Sequence, residues 1–195
     1  MTTSKCQDGF LRHNDSAETL DQYYRDGRWS YLGSPQYAAA YLQPLAAMCV
    51  GDAVLDVGCG EGWLAGHIGG RQYVGFDASR VAIERARRVF RNCARDRFFV
   101  GRLEDPPFLI NGPDTIVFGN ILEVLVKPEC RLPLIDLYVT KYRPQRVIVY
   151  DMEKLDTRPI EDKYRLVAEH HGYCEVPPEG PAAKWSRKLI AFEES

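Results

Sequence analysis

Apolar residues recur along this chain in two rhythms. Short continuous apolar runs at Ala53–Val57, 114–118 and 146–150 have the length and pattern of strands buried on both faces of a sheet. Residues 72–76 and 97–100 read as two further strands, the second of them short. Between these runs the apolar positions fall at helical spacing. In residues 36–48, Tyr37, Ala40, Tyr41, Leu45 and Met48 make one face; in residues 79–90 the apolar positions are Val81, Ile83, Ala86 and Val89. Helical material is predicted over 121–142, interrupted near Pro128 and Pro133, and again over 160–171.

Ahead of the first strand, Asp15 or Ser16 is placed to cap a helix over Ala17–Arg25, with Glu18 in its first turn. Ser34-Pro35 opens the next one. The end of the chain breaks the alternation: residues 173–176 and 187–192 read as strands, with a Pro-rich and Gly-containing loop at 177–181 and no room for a helix between them. Two such strands make an antiparallel hairpin. The reading is an α/β fold with a mostly parallel sheet, helices on both faces and a C-terminal antiparallel hairpin. It divides into an N-terminal helical extension, residues 1–34, and a main domain, residues 35–195.

The chemistry concentrates where the first strand ends. Val54-Leu55-Asp56-Val57 runs into Gly58-Cys59-Gly60-Glu61-Gly62, and a short amphipathic segment, 64–68, follows. Strand, glycine-rich turn and helix N-terminus form the nucleotide-binding start of an open α/β sheet. Asp56 separates the possible ligands. A pyrophosphate held by backbone N–H groups would be repelled by a carboxylate beside it, whereas a cationic ligand is attracted. The glycines are also spaced G-x-G-x-G rather than G-x-G-x-x-G. Asp77 closes the second strand twenty-one residues after Asp56, the spacing at which an acid accepts hydrogen bonds from ribose hydroxyls.

VLDVGCGEG resembles motif I of the class I S-adenosylmethionine-dependent methyltransferases. The resemblance extends over roughly residues 35–194. It implies a Rossmann-like seven-stranded sheet of order 3-2-1-4-5-7-6 with strand 7 antiparallel, and S-adenosylmethionine as methyl donor. By the same resemblance Asp56, Gly58, Cys59, Gly60, Asp77 and Ala78 hold the cofactor, with Leu103 and Glu104 on the adenine side and Gly119 and Asn120 near its methionine part. Two departures accompany it. Arg102 stands where many relatives carry an acid for the adenine amino group, and Val124 stands where many carry a histidine. The (Asp/Asn/Ser)-Pro-Pro-(Tyr/Phe) motif of enzymes that methylate amino groups of nucleic acids is absent.

Candidates for a general base are Glu123, Asp151 and His170, the last paired with His171. The N-terminal cluster Tyr23, Tyr24, Trp29, Tyr31 and Tyr37 is dense in rings, and with Met152 and Trp185 it is a candidate acceptor pocket.

Composition narrows the partners. Lys and Arg number 25 against 27 Asp and Glu, a net charge of −2, so no global basic field draws the chain to nucleic acid or to an anionic membrane. No apolar run approaches the ~20 residues that span a bilayer. Six dispersed cysteines without C-x-x-C or histidine clustering argue against a metal site and fit reduced thiols in the cytoplasm. The expected activity is methyl transfer to an O or N of a small-molecule acceptor, by a monomer or homodimer. The rivals are an RNA or protein methyltransferase, a cofactor-binding module without catalysis, and a nicotinamide oxidoreductase, which Asp56 disfavours.

Overall fold

The computed structural model describes residues 16–93, 96–107, 112–122, 125–152, 156–175 and 184–193. Seven strands form one sheet in the order β3-β2-β1-β4-β5-β7-β6. They are β1 Ala53–Val57, β2 Gln72–Asp77, β3 Asp96–Val100, β4 Thr115–Gly119, β5 Arg146–Met152, β6 Arg165–Glu175 and β7 Lys184–Glu193. The first five are parallel, with Asp56 level with Gly75 on one side and Val117 on the other. β7 runs antiparallel between β5 and β6. The order reverses between β1 and β4, so their carboxyl ends open a crevice, the place where such sheets bind ligands.

Residues alternate between the two faces. Val54, Tyr73, Val117, Ile148 and Tyr150 pack on one side, with Tyr37, Tyr41 and Leu45 of the N-terminal helices. Leu55, Phe76, Phe118 and Val149 pack on the other, with Leu134, Ile135 and Tyr138 of α5 (Arg131–Tyr142). Burial on both faces accounts for the uninterrupted apolar runs of the central strands.

Helix α1, Ala17–Arg25, is capped by Ser16, whose Oγ accepts from the Thr19 amide at 3.3 Å. Its Asp21 reaches α4, Arg80–Val89. One carboxylate oxygen accepts from Ser79 Oγ at 2.6 Å and from the Val81 amide at 3.0 Å, while Ser79 Oγ caps the Ala82 amide at 3.1 Å. Two helices sixty residues apart are thereby joined through orphan donors of a helix N-terminus. The segment expected as one helix over 36–48 is α2 Pro35–Tyr37, a π-helical turn Ala38–Leu42, and α3 Gln43–Met48.

Two elements differ from the sequence reading. The stretch after the glycine loop is a 3-10 turn, Trp63–Gly66, rather than an α-helix. The helix expected over 160–171 is four residues of α6, Arg158–Glu161, followed by the long edge strand β6. A register shift between Leu166 and Ala168 puts neighbouring apolar residues out of a simple period-2 pattern, which is why this strand imitates a helix. Cys49, Cys59 and Cys93 are free thiols, but Cys130 is disulfide-bonded, against the expectation of reduced cysteines throughout. Among the described residues no helix is long and apolar enough to cross a membrane.

Candidate active site

The glycine loop is held on the sheet by its own amides. Gly58 N–H and Cys59 N–H both donate to Phe76 O, at 2.9 and 3.0 Å. Gly60 N–H donates to Asp77 Oδ2 at 3.0 Å, and the Ser79 amide donates to Asp77 Oδ1 at 2.8 Å. Asp77 therefore ties the loop after β1 to the start of α4, and each of its oxygens keeps a further lone-pair direction for a ligand hydroxyl. Asp56, on the same face as Tyr73, accepts from the Tyr73 hydroxyl at 2.5 Å.

These carboxylates face a cavity whose empty space, its open mouth included, is about 920 Å³. Asp56, Gly58, Cys59, Gly60 and Asp77 form its floor, Gly119, Asn120 and Tyr150 one side, and Tyr24, Trp29, Tyr31 and Tyr37 the roof. Among the described residues its wall carries two carboxylates and no Lys, Arg or His. Burial pushes the Asp56 carboxyl up to about 7, against the lowering effect of the Tyr73 bond and with Asp77 adding to the rise. Burial likewise raises Asp77 to about 6, opposed by the Ser79 and Gly60 amides. Two buried acids lifted in this way favour a cation, because a positive ligand restores the stabilisation of their ionised forms that burial takes away. Burial pushes the Cys59 thiol well up, so it sits in the loop as a small, protonated side chain.

The roof comes from the N-terminal elements. Trp29 stands edge-on to Tyr24 at 4.7 Å and to Tyr23 at 5.7 Å. Tyr37 contacts Tyr31, Tyr41 and Tyr150. The π-helical turn begins one residue after Tyr37, a backbone irregularity found often at functional sites. At the end of β4, Asn120 adopts φ 58°, its amide donates to Tyr150 O at 2.6 Å, and its Nδ2 donates to Tyr37 Oη at 2.9 Å. The Tyr150 hydroxyl also donates to Tyr37 Oη. Asn120 Oδ1 is buried and has no hydrogen-bond partner.

Of the residues singled out in the sequence, the cavity wall brings together Asp56, Gly58, Cys59, Gly60, Asp77, Gly119, Asn120, Tyr24, Trp29 and Tyr31. Several others lie elsewhere. Tyr23 stacks under the Arg28 guanidinium at 4.0 Å instead of lining the cavity. Leu103 is buried behind Phe76 and its carbonyl accepts from Tyr138; Glu104 pairs with Arg102 at 3.5 Å; neither they nor Ala78 line the cavity. Asp151 is buried one residue beyond Tyr150, so the strand turns it toward the opposite face. His170 is on β6, not in a helix, with Nε2 3.4 Å from Ala40 O, and His171 pairs with Glu169 at 2.8 Å. Glu123 and the side chains of Met152 and Trp185 fall outside the described residues.

Sequence reasoning missed Tyr150, Trp63 and Leu125. Tyr150 had a usable signal, since it stands at the carboxyl end of a parallel strand beside the crevice.

Residues 54–138 match the family model of a methyltransferase domain. No curated protein matches. Among solved structures, the N-methyltransferase NodS from Bradyrhizobium japonicum, in complex with S-adenosyl-L-homocysteine, superposes with a TM-score of 0.71 at 15% identity, over 93% of this chain and 99% of that one. Magnesium protoporphyrin IX methyltransferase from Synechocystis, with bound S-adenosylmethionine, gives 0.68 at 16% identity over 94% and 99%. The tRNA (uracil-54, C5)-methyltransferase of Pyrococcus abyssi gives 0.60 at 18% identity; the match covers 80% of this chain but 38% of that enzyme's length.

Proposed function

We propose that this chain, a class I S-adenosylmethionine-dependent methyltransferase, transfers the methyl group to an O or N of a small molecule. The observation that carries the donor half of this reading is the cavity wall: two buried carboxylates with raised pKa and no cationic side chain among the described residues. When bound, S-adenosylmethionine supplies a methyl group on a cationic sulfur, open to in-line displacement by a lone pair of the acceptor. The residues present fit it. Asp77 keeps lone pairs that would accept from ribose hydroxyls, the Gly58–Gly60 backbone is bare enough for close approach, and Asp56 would supply negative charge to a cation.

The acceptor half rests on the roof. Tyr24, Trp29, Tyr31 and Tyr37 line the crevice from above, so the acceptor reaches it within an apolar, ring-lined space that fixes its approach. Such a space suits a small molecule better than a polynucleotide, which needs a basic track; among the described residues the wall carries no Lys, Arg or His. The aromatic faces also favour positive charge at the reacting centre.

The test is transfer of radiolabelled methyl from S-adenosylmethionine to cell extract separated into small molecules, RNA and protein. Label in the small-molecule fraction is expected. Label confined to RNA or protein would reject the acceptor assignment.

A further inference from the structure

Beneath the cavity floor, a tyrosine of β2 reaches across a glycine to the acid that faces the ligand. Tyr73 and Gly75 share one face of the strand, and Gly75 stands level with Asp56 of β1. A Cβ on Gly75 would lie 2.8 Å from Tyr73 Cε1 and 2.8 Å from Cys59 Sγ. Both distances are shorter than a Cβ tolerates, so the missing side chain is what lets the ring lean along the strand. Phe98 of β3 packs against that ring with centroids 5.5 Å apart, and Phe98 is stacked in turn on Phe90. At the end of the ring, the hydroxyl donates to Asp56 Oδ2 at 2.5 Å, the length of a charge-assisted bond. Tyr73 has no exposed surface, whereas Asp56 keeps 5% of its own and lines the cavity.

We infer that Tyr73 is a positioning residue for the methyl donor, its hydroxyl fixing one oxygen of Asp56 so that the carboxylate stands as an anion on the cavity wall when the cationic ligand arrives. This rests on the methyltransferase reading above and deepens it. A hydroxyl without access to water is unfavourable on a strand that phenylalanine would fill as well, and the bond to Asp56 offsets it. Asp56 alone is poorly placed to stay charged. Val54, Leu55 and Val57 flank it and Val117 stands level with it, all buried, and burial pushes its carboxyl up to about 7. Tyr73 opposes that rise, because a donor bonded to the carboxylate favours the ionised form. Among the titratable groups around Asp56, Asp77 at the end of β2 adds to the rise. Burial holds the Cys59 thiol of the loop and the Tyr24 phenol of α1 well up, and the Cys49 thiol after α3 up to about 12. The phenols of Tyr37, Tyr41 and Tyr150 lie on the same face. Near pH 7 the charge that Tyr73 governs is therefore that of Asp56 itself, with Asp77 titrating below it at about 6.

The experiment is calorimetric titration with S-adenosylmethionine between about pH 5.5 and 9 on the natural protein, Tyr73→Phe, Asp56→Asn and the double variant. Titration of the ligand's own ammonium is common to all four and cancels in the comparison. In Tyr73→Phe the pH of half-maximal affinity is expected to rise by about one pH unit, so that binding weakens up to about tenfold at pH 7 and recovers by pH 9. In the Asp56→Asn background, removing the hydroxyl should change affinity less than about twofold, because the group it acts through no longer carries charge. Gly75→Ala, whose methyl must displace the ring, is expected to move the profile in the same direction and takes the place of Tyr73→Phe should that variant not fold. An unchanged profile in either folded variant, a loss of equal size at every pH, or an equal loss with and without Asp56 would overturn the assignment and leave Tyr73 a core residue. Failure of the natural protein to bind S-adenosylmethionine at all would instead remove the methyltransferase reading on which it rests.

Discussion

Tyr24 lays its hydroxyl over Gly60, so close that a Cβ on the glycine would stand 2.7 Å from the oxygen. The contact joins helix α1 to the loop after β1 and makes the N-terminal helix a wall of the cavity. Arg85 reinforces it, donating to Tyr24 O at 2.9 Å and pairing with Glu61 at 2.7 Å. Burial pushes the Tyr24 phenol well up, with the nearby Asp77 carboxylate adding to the effect, so it stays protonated and can donate into the site.

Gly60→Ala combines that collision with a φ of 55°. A side chain in the left-handed region costs about 1–2 kcal/mol, and relief of the clash requires Tyr24 to move. The variant is expected to melt earlier and to bind S-adenosylhomocysteine at least an order of magnitude more weakly, read by thermal melting and calorimetry. Unchanged affinity would mean that the loop does not touch the ligand.

Asp21 holds α1 on α4 through Ser79 Oγ and the Val81 amide. Asp21→Ala removes both bonds and is expected to lower stability by about 1–3 kcal/mol. Amide exchange should accelerate in α1 and the first turn of α4 more than in the central strands. Uniform acceleration across the sheet would show that α1 is not an independently docked element.

The raised carboxylates at the cavity floor set a pH dependence. Asp56 and Asp77, at about 7 and about 6 when folded against an ordinary 3.8, hold protons in the native state that the unfolded chain has already released. Their contribution to stability is therefore fully present below pH ~4 and is lost as the pH rises through 6 to 7. The ligand-free protein is expected to melt at a lower temperature at pH 8 than at pH 5.5. Cofactor affinity should run the other way, rising across the same window with release of protons, because a cation needs the ionised acids. Calorimetry in buffers of different ionisation heat measures that release; none, with Asp56 intact, would contradict the charge pairing.

Leu55 and Val57 announced a doubly buried strand, and Asp56 and Asp77 stood out as acids at the strand ends that the structure places together on one cavity wall, because these properties are local. The central sheet was legible for that reason. β6 was not: among the described residues it lies at the sheet edge beside β7, and its register shift at 166–168 scrambles the alternation that marks a strand. That error carried His170 into an imagined helix. The site above the glycine loop was legible only in part. Tyr24, Trp29, Tyr31 and Tyr37 stood out as a dense run of rings, but the Asn120 contact to Tyr37 spans 83 residues and the Tyr150 contact 113, and no periodicity encodes them. Tyr23, in the same run, turned outward to Arg28.

The central claim is that Asp56 and Asp77 build a site for a positively charged nucleoside, and calorimetry of the intact protein with S-adenosylmethionine and with NADH, repeated on Asp77→Ala, tests it most directly. The account expects S-adenosylmethionine to bind, NADH not to, and the Asp77 variant to lose roughly 1–3 kcal/mol of the affinity. Binding of NADH in preference to S-adenosylmethionine, or an Asp77→Ala variant as tight as the natural protein, would contradict it.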